Sequence, residues 1–332
     1  MTNRERFRRL MSFQSVDRLP LMEWATWWNK TIDRWHQEGL PPELTDGFEI
    51  RCYFGLDKFQ QYWIGAIGSG TPAPPFHGAG VMGSGASYDE LLEFLYPREA
   101  FNKKLVEGWA EQQATGELVV WITLEGFFWF PRTLLGIERH LYSFYDEPEL
   151  LHRMNTDLLE FNLHVLDEFC ELCVPDFMTF AEDMSYNHGP MLSREHFDEF
   201  VAPYYRQITP VLHERGILPF VDTDGNVTDL VPWMQEVGVR GFLPLERMAG
   251  VDVNQLRRDY PDLLMIGAFD KTVMHLGEEA MRAEFERLMP VMKSGGYIPS
   301  VDHQTPPEVS LEDYRLYLRL LREYVVKGKP EL

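Results

Sequence analysis

Short apolar stretches alternate with helical patterns along this chain of 332 residues, and the alternation becomes regular from residue 117 onward. Strands that alternate with helices at this spacing predict βα units and a parallel sheet. The candidate strands number eight, and eight strands close a (β/α)8 barrel. They span residues 18–22, 59–67, 118–124, 176–181, 217–221, 240–245, 263–268 and 297–301. No linker divides the chain. We therefore predict an α/β fold in which residues 1–332 form a single (β/α)8 TIM barrel with an N-terminal helical extension.

Ionisable side chains follow the predicted strands at their carboxyl ends. The strand at residues 217–221 runs directly into Asp222 and Asp224; Gly225 then permits a backbone turn, and Asn226 can cap the next helix. The other strand ends contribute Glu125, Glu182, Asp183, Glu246, Asp270, Lys271, Asp302 and His303. In a barrel, these ends meet at one mouth, where catalytic residues lie.

Carboxylates that converge on one mouth repel one another. At least one of them must then be protonated, paired with Lys271 or His303, or bound to a cation. The alternative is that half of these side chains point outward as helix caps. We favour the convergent acidic site, because the pattern recurs at nearly every strand end in the second half of the chain.

Aromatic residues and one long loop flank the same predicted mouth. Trp24, Trp27, Trp28 and Trp35 follow the first predicted strand, and they fit either a core or the wall of a site for a flat ligand. Residues 65–86 are rich in Gly, Pro, Ala and Ser and lack periodicity, which predicts a loop that covers the mouth. The Gly-rich run at residues 78–83 is not followed by a helix with the required apolar face, so we predict no dinucleotide site there.

The formal net charge of -21 argues against nucleic acid or an anionic membrane surface as a partner. The chain contains no run of about 18 apolar residues, so no membrane span is predicted. The polar N-terminus lacks an apolar signal segment, and three cysteines suit a reducing compartment, so a cytoplasmic location is expected. Cys170 and Cys173 lie in an apolar helical pattern and are interpreted as small buried side chains.

Several motifs together resemble the uroporphyrinogen decarboxylase superfamily. They are the opening Arg4-Glu-Arg-Phe…Asp17-Arg-Leu-Pro, Glu182-Asp-Met…Gly189-Pro-Met-Leu-Ser193, the Asp-Thr-Asp-Gly-Asn turn at residues 222–226, Phe242-Leu-Pro-Leu-Glu246, Ile266-Gly-Ala-Phe-Asp-Lys271 and Gly295-Gly-Tyr-Ile-Pro. The resemblance covers most of the chain. It implies a (β/α)8 barrel and one of three activities: porphyrinogen decarboxylation, corrinoid-dependent methyl transfer or cobalamin-independent methionine synthesis.

Two departures from the family pattern bear on the activity. The decarboxylase carries an Arg-rich segment after its first strand to hold substrate carboxylates, whereas this chain has Met22-Glu-Trp-Ala-Thr-Trp-Trp28 there, and only Asp57 loosely matches the catalytic Asp. The methyltransferases bind zinc through His and Cys ligands. Here the corresponding places carry Asp222, Asp224, Glu246 and His303, which the resemblance implies as ligands of a divalent metal, with zinc the expected ion.

We therefore expect a methyltransferase that moves a methyl group from a small donor, for example a methoxylated aromatic compound, to a corrinoid. The chain lacks the Asp-x-His-x-x-Gly motif that holds a corrinoid, so a separate corrinoid protein is the expected partner. The predicted catalytic residues are Glu182, Asp183, Asp224 and Lys271, and the predicted substrate-binding residues are Trp24, Trp27, Glu125, His188 and Asn226. The alternatives are a carboxy-lyase that needs no cofactor, and a non-catalytic protein that holds a cationic ligand.

Overall fold

The computed structural model describes residues 1–76 and 78–330. The helices are α1 (Asn3–Met11), α2 (Asn29–Gln37), α3 (Gly47–Tyr53), α4 (Tyr88–Leu91), α5 (Lys103–Ala114), α6 (Trp129–Leu135), α7 (Ile137–Asp146), α8 (Pro148–Leu172), α9 (Arg194–His196), α10 (Ala202–Glu214), α11 (Leu230–Glu236), α12 (Val253–Asp259), α13 (Glu278–Lys293) and α14 (Leu311–Lys327). Short 3-10 helices span Val81–Ser84 and Lys271–Leu276, and a π-helical turn at Phe197–Val201 joins α9 to α10. No helix of the described residues has the length and apolar character that crossing a bilayer requires.

One parallel sheet forms the centre of the molecule. Its seven strands, in order across the sheet, are β1 (Phe59–Ile64), β2 (Val119–Glu125), β3 (Phe177–Ala181), β6 (Leu218–Asp222), β7 (Gly241–Leu243), β8 (Leu264–Phe269) and β9 (Tyr297–Val301). A separate antiparallel hairpin pairs β4 (Ser185–Tyr186) with β5 (Gly189–Pro190). The fold is thus α/β with helices α1–α3 ahead of the first strand, as the alternating pattern predicts.

The predicted strand at residues 18–22 is wrong. This segment has no ladder partner, and Pro20 lacks the N–H that a central strand needs. The segment and the residues just after it nevertheless contact both edges of the sheet: Asp57 N donates to Leu21 O at 2.9 Å just before β1, and Trp24 N donates to Ser300 Oγ at 3.2 Å on β9. The parallel ladder therefore has seven strands rather than eight.

Side chains at alternate strand positions fill the interior of the curled sheet. Gln61 Nε2 donates to Thr123 Oγ1 at 2.8 Å, and Thr123 Oγ1 lies 2.8 Å from Thr179 Oγ1. Because alternate residues of a strand share a face, Glu125 on β2 and Ala181 on β3 point to the same interior, one layer nearer the carboxyl ends.

The loop at residues 65–86 is anchored where α6 meets α7. Helices α6 and α7 are divided at Gly136, whose φ of +82° ends α6. Gly80 packs against this junction so closely that an added Cβ would lie 2.2 Å from Leu134 O. Gly80 therefore permits a close backbone approach between the loop and the helical layer.

Candidate functional site

A cavity of about 470 Å³ opens where Asp222 ends β6. This volume suits a small ligand. Its lining residues are Trp24, Ala25, Thr26, Gln61, Trp63, Trp129, Ala181, Glu182, Asp183, Asp222, Thr223, Asp224, His303 and Gln304. The structure therefore brings Asp222, Asp224, Asp183 and His303 together at the carboxyl end of the sheet.

Asp222 and Asp224 hold protons up to nearly neutral pH or above it. Burial raises the pKa of Asp222 to about 8, with the negative charges of Asp224 and Asp183 adding to the effect. Burial likewise raises the pKa of Asp224 to about 7; Glu246, Asp183 and Asp302 raise it further, and Lys271 opposes them. The two carboxyl groups can therefore exchange protons in the pH range where enzymes work.

The turn after β6 holds Glu246 and Asn226 in backbone contacts. Gly225 N donates to Glu246 Oε2 at 2.9 Å, and Asn226 Oδ1 accepts from Thr228 N at 3.0 Å. Gly225 has φ of +83°, and a Cβ there would lie 2.6 Å from Tyr186 Cα in the hairpin. Glu246 and Asn226 do not line the cavity; they shape the turn that carries Asp224.

Lys271 reaches the site through Asp302. The Lys271 ammonium lies 3.5 Å from Asp302 Oδ1, and this buried carboxylate also accepts from the backbone N–H groups of Arg247 at 3.1 Å and Lys271 at 3.2 Å. Burial raises the pKa of Asp302 to about 6, and Lys271 limits that rise. The lysine thus stabilises the ionised form of Asp302 beside the cavity.

His303 lies next to Asp224. Its Nε2 is 3.7 Å from Asp224 Oδ2, beyond hydrogen-bond distance. Burial lowers the pKa of His303, and the positive charge of Lys271 lowers it further, against the opposing charges of Glu246 and Asp183. A neutral imidazole therefore faces a carboxyl group that is protonated near neutral pH.

The Glu182 carboxylate is occupied by donors from the loop that follows β2. It accepts from the N–H groups of Phe127 at 2.9 Å, Phe128 at 2.8 Å and Trp129 at 3.1 Å, and also from the hydroxyl of Tyr205. Burial raises its pKa to about 7, against these hydrogen bonds. Through these four hydrogen bonds, Glu182 positions the loop and the start of α6. The role of its carboxylate in this arrangement is structural.

Asp183 is paired with a cation. Arg132 Nη1 donates to Asp183 Oδ2 at 2.9 Å and to the Asp183 carbonyl at 2.7 Å. The same guanidinium lies over the indole of Trp129, 5.1 Å from the ring centroid. Asp183 has φ of +43°, which the double contact with Arg132 helps to hold.

Three tryptophans line the cavity, and only one of them was predicted. Trp24 lines it and donates its indole N–H to Val301 O at 2.6 Å. Trp27 lies in the core instead, with its ring 5.9 Å from that of Trp35. Trp63 on β1 and Trp129 on α6 are the other two, and sequence analysis missed them because they lie in apolar stretches typical of core.

The remaining predicted substrate contacts lie outside the cavity lining. His188 is exposed in the turn of the hairpin, with its ring 5.6 Å from that of Tyr186. Glu125 lies beside Trp63 and is buried, with 7% of the residue exposed. Its Oε2 has no hydrogen-bond partner among the described residues. Burial raises the pKa of Glu125 to about 7, while the indole of Trp63 lowers it.

The four side chains predicted to bind a metal do not form a ligand set in this arrangement. Across residues 1–76 and 78–330, no group of three or more His, Cys, Asp or Glu side chains is placed to hold a metal ion. Glu246 is taken by Gly225 N–H, and His303 and Asp224 contact each other only at 3.7 Å. The donor set does not fit zinc as it stands, and the metal remains a prediction.

Comparisons with known proteins agree with the architecture. The family model described as "Uroporphyrinogen decarboxylase (URO-D)" matches residues 126–324. Among solved structures, the chain is similar to a methyltransferase from Methanosarcina mazei, with 13% identity, a TM-score of 0.66, and coverage of 98% of this chain and 99% of that chain. It also matches a Listeria monocytogenes structure described as a vitamin-B12-independent methionine synthase, with 11% identity, coverage of 96% and 99%, and a TM-score of 0.49. A search of curated proteins gives no match.

Proposed function

Because the chain belongs to the uroporphyrinogen decarboxylase (URO-D) family, we propose that it is an enzyme of the methyl-transferring kind within that family. In this proposal, a small methylated donor occupies the cavity at the end of β6, and the acceptor is a corrinoid carried by a separate protein. The similar Methanosarcina mazei structure bears the name methyltransferase, which is consistent with this branch.

The observation that carries the proposal is the character of the cavity wall. Three tryptophans and three aspartates line it, and no Lys or Arg among the described residues does so. A decarboxylase that acts on a polycarboxylate must hold several anionic groups, and unpaired carboxylates at the mouth would repel them. A small donor without negative charge suits this wall better, so methyl transfer is favoured over decarboxylation.

The side chains of this chain bind and orient the donor. The tryptophan rings cover its apolar part and exclude water, which strengthens every charge interaction inside the cavity. Asp222 and Asp224 face the heteroatom that carries the methyl group. With their raised pKa values they can be protonated toward a neutral heteroatom, or ionised beside a cationic one.

The acceptor must come from outside this chain, because the sequence has no Asp-x-His-x-x-Gly motif. A corrinoid in its reduced state supplies a strong nucleophile for the methyl carbon. The acceptor must reach the donor inside the cavity that Trp24, Trp63 and Trp129 line. No residue of this chain is assigned to hold it.

The proposal is tested with the purified full chain, reduced cobalamin and a panel of methylated donors that includes methoxyphenols, methylamines and choline. We expect methylated corrinoid to form with at least one donor. Its formation is monitored by the absorption spectrum of the corrinoid and by chromatography. Release of CO2 from carboxylated aromatic or pyrrolic substrates, without methyl transfer from any donor, would instead support the cofactor-free carboxy-lyase, in which protonated Asp222 would deliver the proton that replaces CO2.

A further inference from the structure

We propose that the donor is a small organic cation, a methylated ammonium compound of the choline type. This inference rests on the proposed methyl transfer and narrows its substrate class. It draws on three features of the described residues: the indole walls, the unpaired acids of the cavity, and a buried carboxyl group beside Trp63.

The indole walls come from separate parts of the chain. Trp24 precedes α2, Trp63 lies on β1 and Trp129 begins α6, so aromatic surface reaches the cavity from three directions. The bond from Trp24 Nε1 to Val301 O fixes that ring in place. A quaternary ammonium group has no N–H to donate, and it is attracted instead to ring faces, with a gain in affinity of about two- to thirtyfold per favourable contact.

The acids of the cavity are short of positive partners. Asp183 is paired with Arg132, and Asp302 is paired with Lys271, whereas Asp222 and Asp224 have no Lys or Arg within ion-pair distance among the described residues. A neutral donor would leave the charge of these groups uncompensated when they ionise. A cation would neutralise this charge, so acids next to tryptophans suit a cationic ligand.

Glu125 adds an independent sign of a cationic occupant. Thr123, two residues earlier on β2, points to the sheet interior, where Gln61 and Thr179 contact it. Glu125 shares that direction, and its Oε2 is buried without a hydrogen-bond partner. Glu125 lies outside the cavity lining beside Trp63, and a cation in the cavity would favour its ionised form.

The chemistry balances without an added proton. The bond between the methyl carbon and nitrogen breaks, and its electron pair stays on nitrogen, so the product is a neutral tertiary amine. The acceptor supplies the pair that forms the new bond to the methyl carbon. The tertiary amine is a stronger base than a carboxylate, so after the transfer it takes up a proton from solvent or from a protonated acid of the cavity.

Calorimetric titration of the full chain with choline and with 3,3-dimethyl-1-butanol tests the inference. The alcohol is the same shape, but carbon replaces the charged nitrogen. We expect choline to bind at least about tenfold more tightly. Trp63 is 49% exposed. Its replacement in Trp63→Leu should weaken choline binding about three- to tenfold and leave the affinity for the alcohol unchanged. Asp224→Asn should also weaken the binding of choline more than that of the alcohol. The control is Trp28→Leu, at an exposed tryptophan outside the cavity, which should leave both affinities unchanged.

Equal affinities for choline and the alcohol would overturn the inference, as would the absence of choline and tetramethylammonium binding at millimolar concentrations. The outcome is separable from the proposed function, because binding is measured without any acceptor. Selective choline binding with no methyl transfer would contradict the proposed function alone. Methyl transfer from a neutral methoxylated donor, together with no cation binding, would contradict this inference alone.

Discussion

His303 Nε2 lies 3.7 Å from Asp224 Oδ2, although two strands separate β6 from β9 in the sheet. Neighbouring strands are about 4.8 Å apart, so a flat sheet would hold these two strand ends roughly 14 Å from each other. The contact is a consequence of sheet curvature, which turns the carboxyl ends of β3, β6 and β9 toward one cavity. The acidic cluster therefore depends on the whole sheet rather than on any local motif.

The raised pKa of Asp222 predicts a pH-dependent effect of Asp222→Asn on stability. In the folded protein the pKa of Asp222 is about 8 against an ordinary value of 3.8, so the stability that its protonated form contributes is fully present below pH 4 and is lost as pH rises to about 8. We expect Asp222→Asn to be more stable than the wild type by about 1–2 kcal/mol at pH 8.5 and by much less at pH 5.5. Urea unfolding at the two pH values measures this.

The matched control for that measurement is Asp33→Asn, at an exposed position in α2. It should leave the free energy of unfolding unchanged at both pH values. A gain for Asp222→Asn that does not grow with pH would show that Asp222 is ionised in the folded protein across this range.

The packing of Glu182 predicts that Gly126 tolerates no side chain. A Cβ at Gly126 would lie 2.2 Å from the Glu182 carboxyl carbon, where the carboxylate is already held by the N–H groups of residues 127–129. Gly126→Ala should lower the free energy of unfolding by about 1–3 kcal/mol. Gly108→Ala, in α5 with open space around it, should instead raise it by up to about 1 kcal/mol. Equal effects in thermal unfolding would contradict this role for Glu182.

The spacing of Asp222, Asp224, Glu246 and His303 predicts the response to metals. Because these side chains do not converge as ligands, Zn²⁺, Mn²⁺ or Mg²⁺ at moderate concentration should leave the melting temperature unchanged, and prior treatment with a chelator should not alter activity. A stoichiometric metal in elemental analysis of the purified protein, together with a rise in melting temperature on metal addition, would restore the predicted metal site.

The loop at residues 65–86 is predicted to cover the mouth of the cavity. Parts of it within residues 67–74 and 78–81 line a second cavity together with Trp129 and Arg132, which adjoin the site. Limited proteolysis should cleave this loop in the free protein and more slowly once a donor such as choline is bound. Unchanged cleavage at a donor concentration that saturates binding would exclude a covering role.

Four of the acids predicted from the sequence line the cavity, namely Glu182, Asp183, Asp222 and Asp224, whereas two of its three tryptophans were not predicted. Asp222 and Asp224 were identifiable because charged residues directly after a buried strand have few structural explanations. Trp63 and Trp129 gave no such signal, since an aromatic residue in an apolar strand or helix is usually core. Glu182 followed the same strand-end pattern as Asp222, and only the three-dimensional arrangement reveals that backbone N–H groups occupy its carboxylate.

The predicted strand at residues 18–22, which does not form, shows that apolar composition alone does not determine strand pairing. Residues 18–22 have the apolar composition of a strand, and Pro20 was compatible with an edge position. Whether such a segment pairs with its neighbours depends on distant partners. Here Asp57 is hydrogen-bonded to Arg18 and Leu21, and Ser300 accepts from Trp24 just beyond the segment, but no strand pairs with it along its length.

The most direct test of the central claim is single-turnover methyl transfer to reduced cobalamin by the wild type, Asp222→Asn, Asp224→Asn and the surface control Asp33→Asn, with a donor that the wild type turns over. We predict that either cavity variant lowers the rate about 10²- to 10⁴-fold while remaining folded, and that the control matches the wild type. Wild-type rates in both cavity variants would contradict the assignment of the reaction to the end of β6.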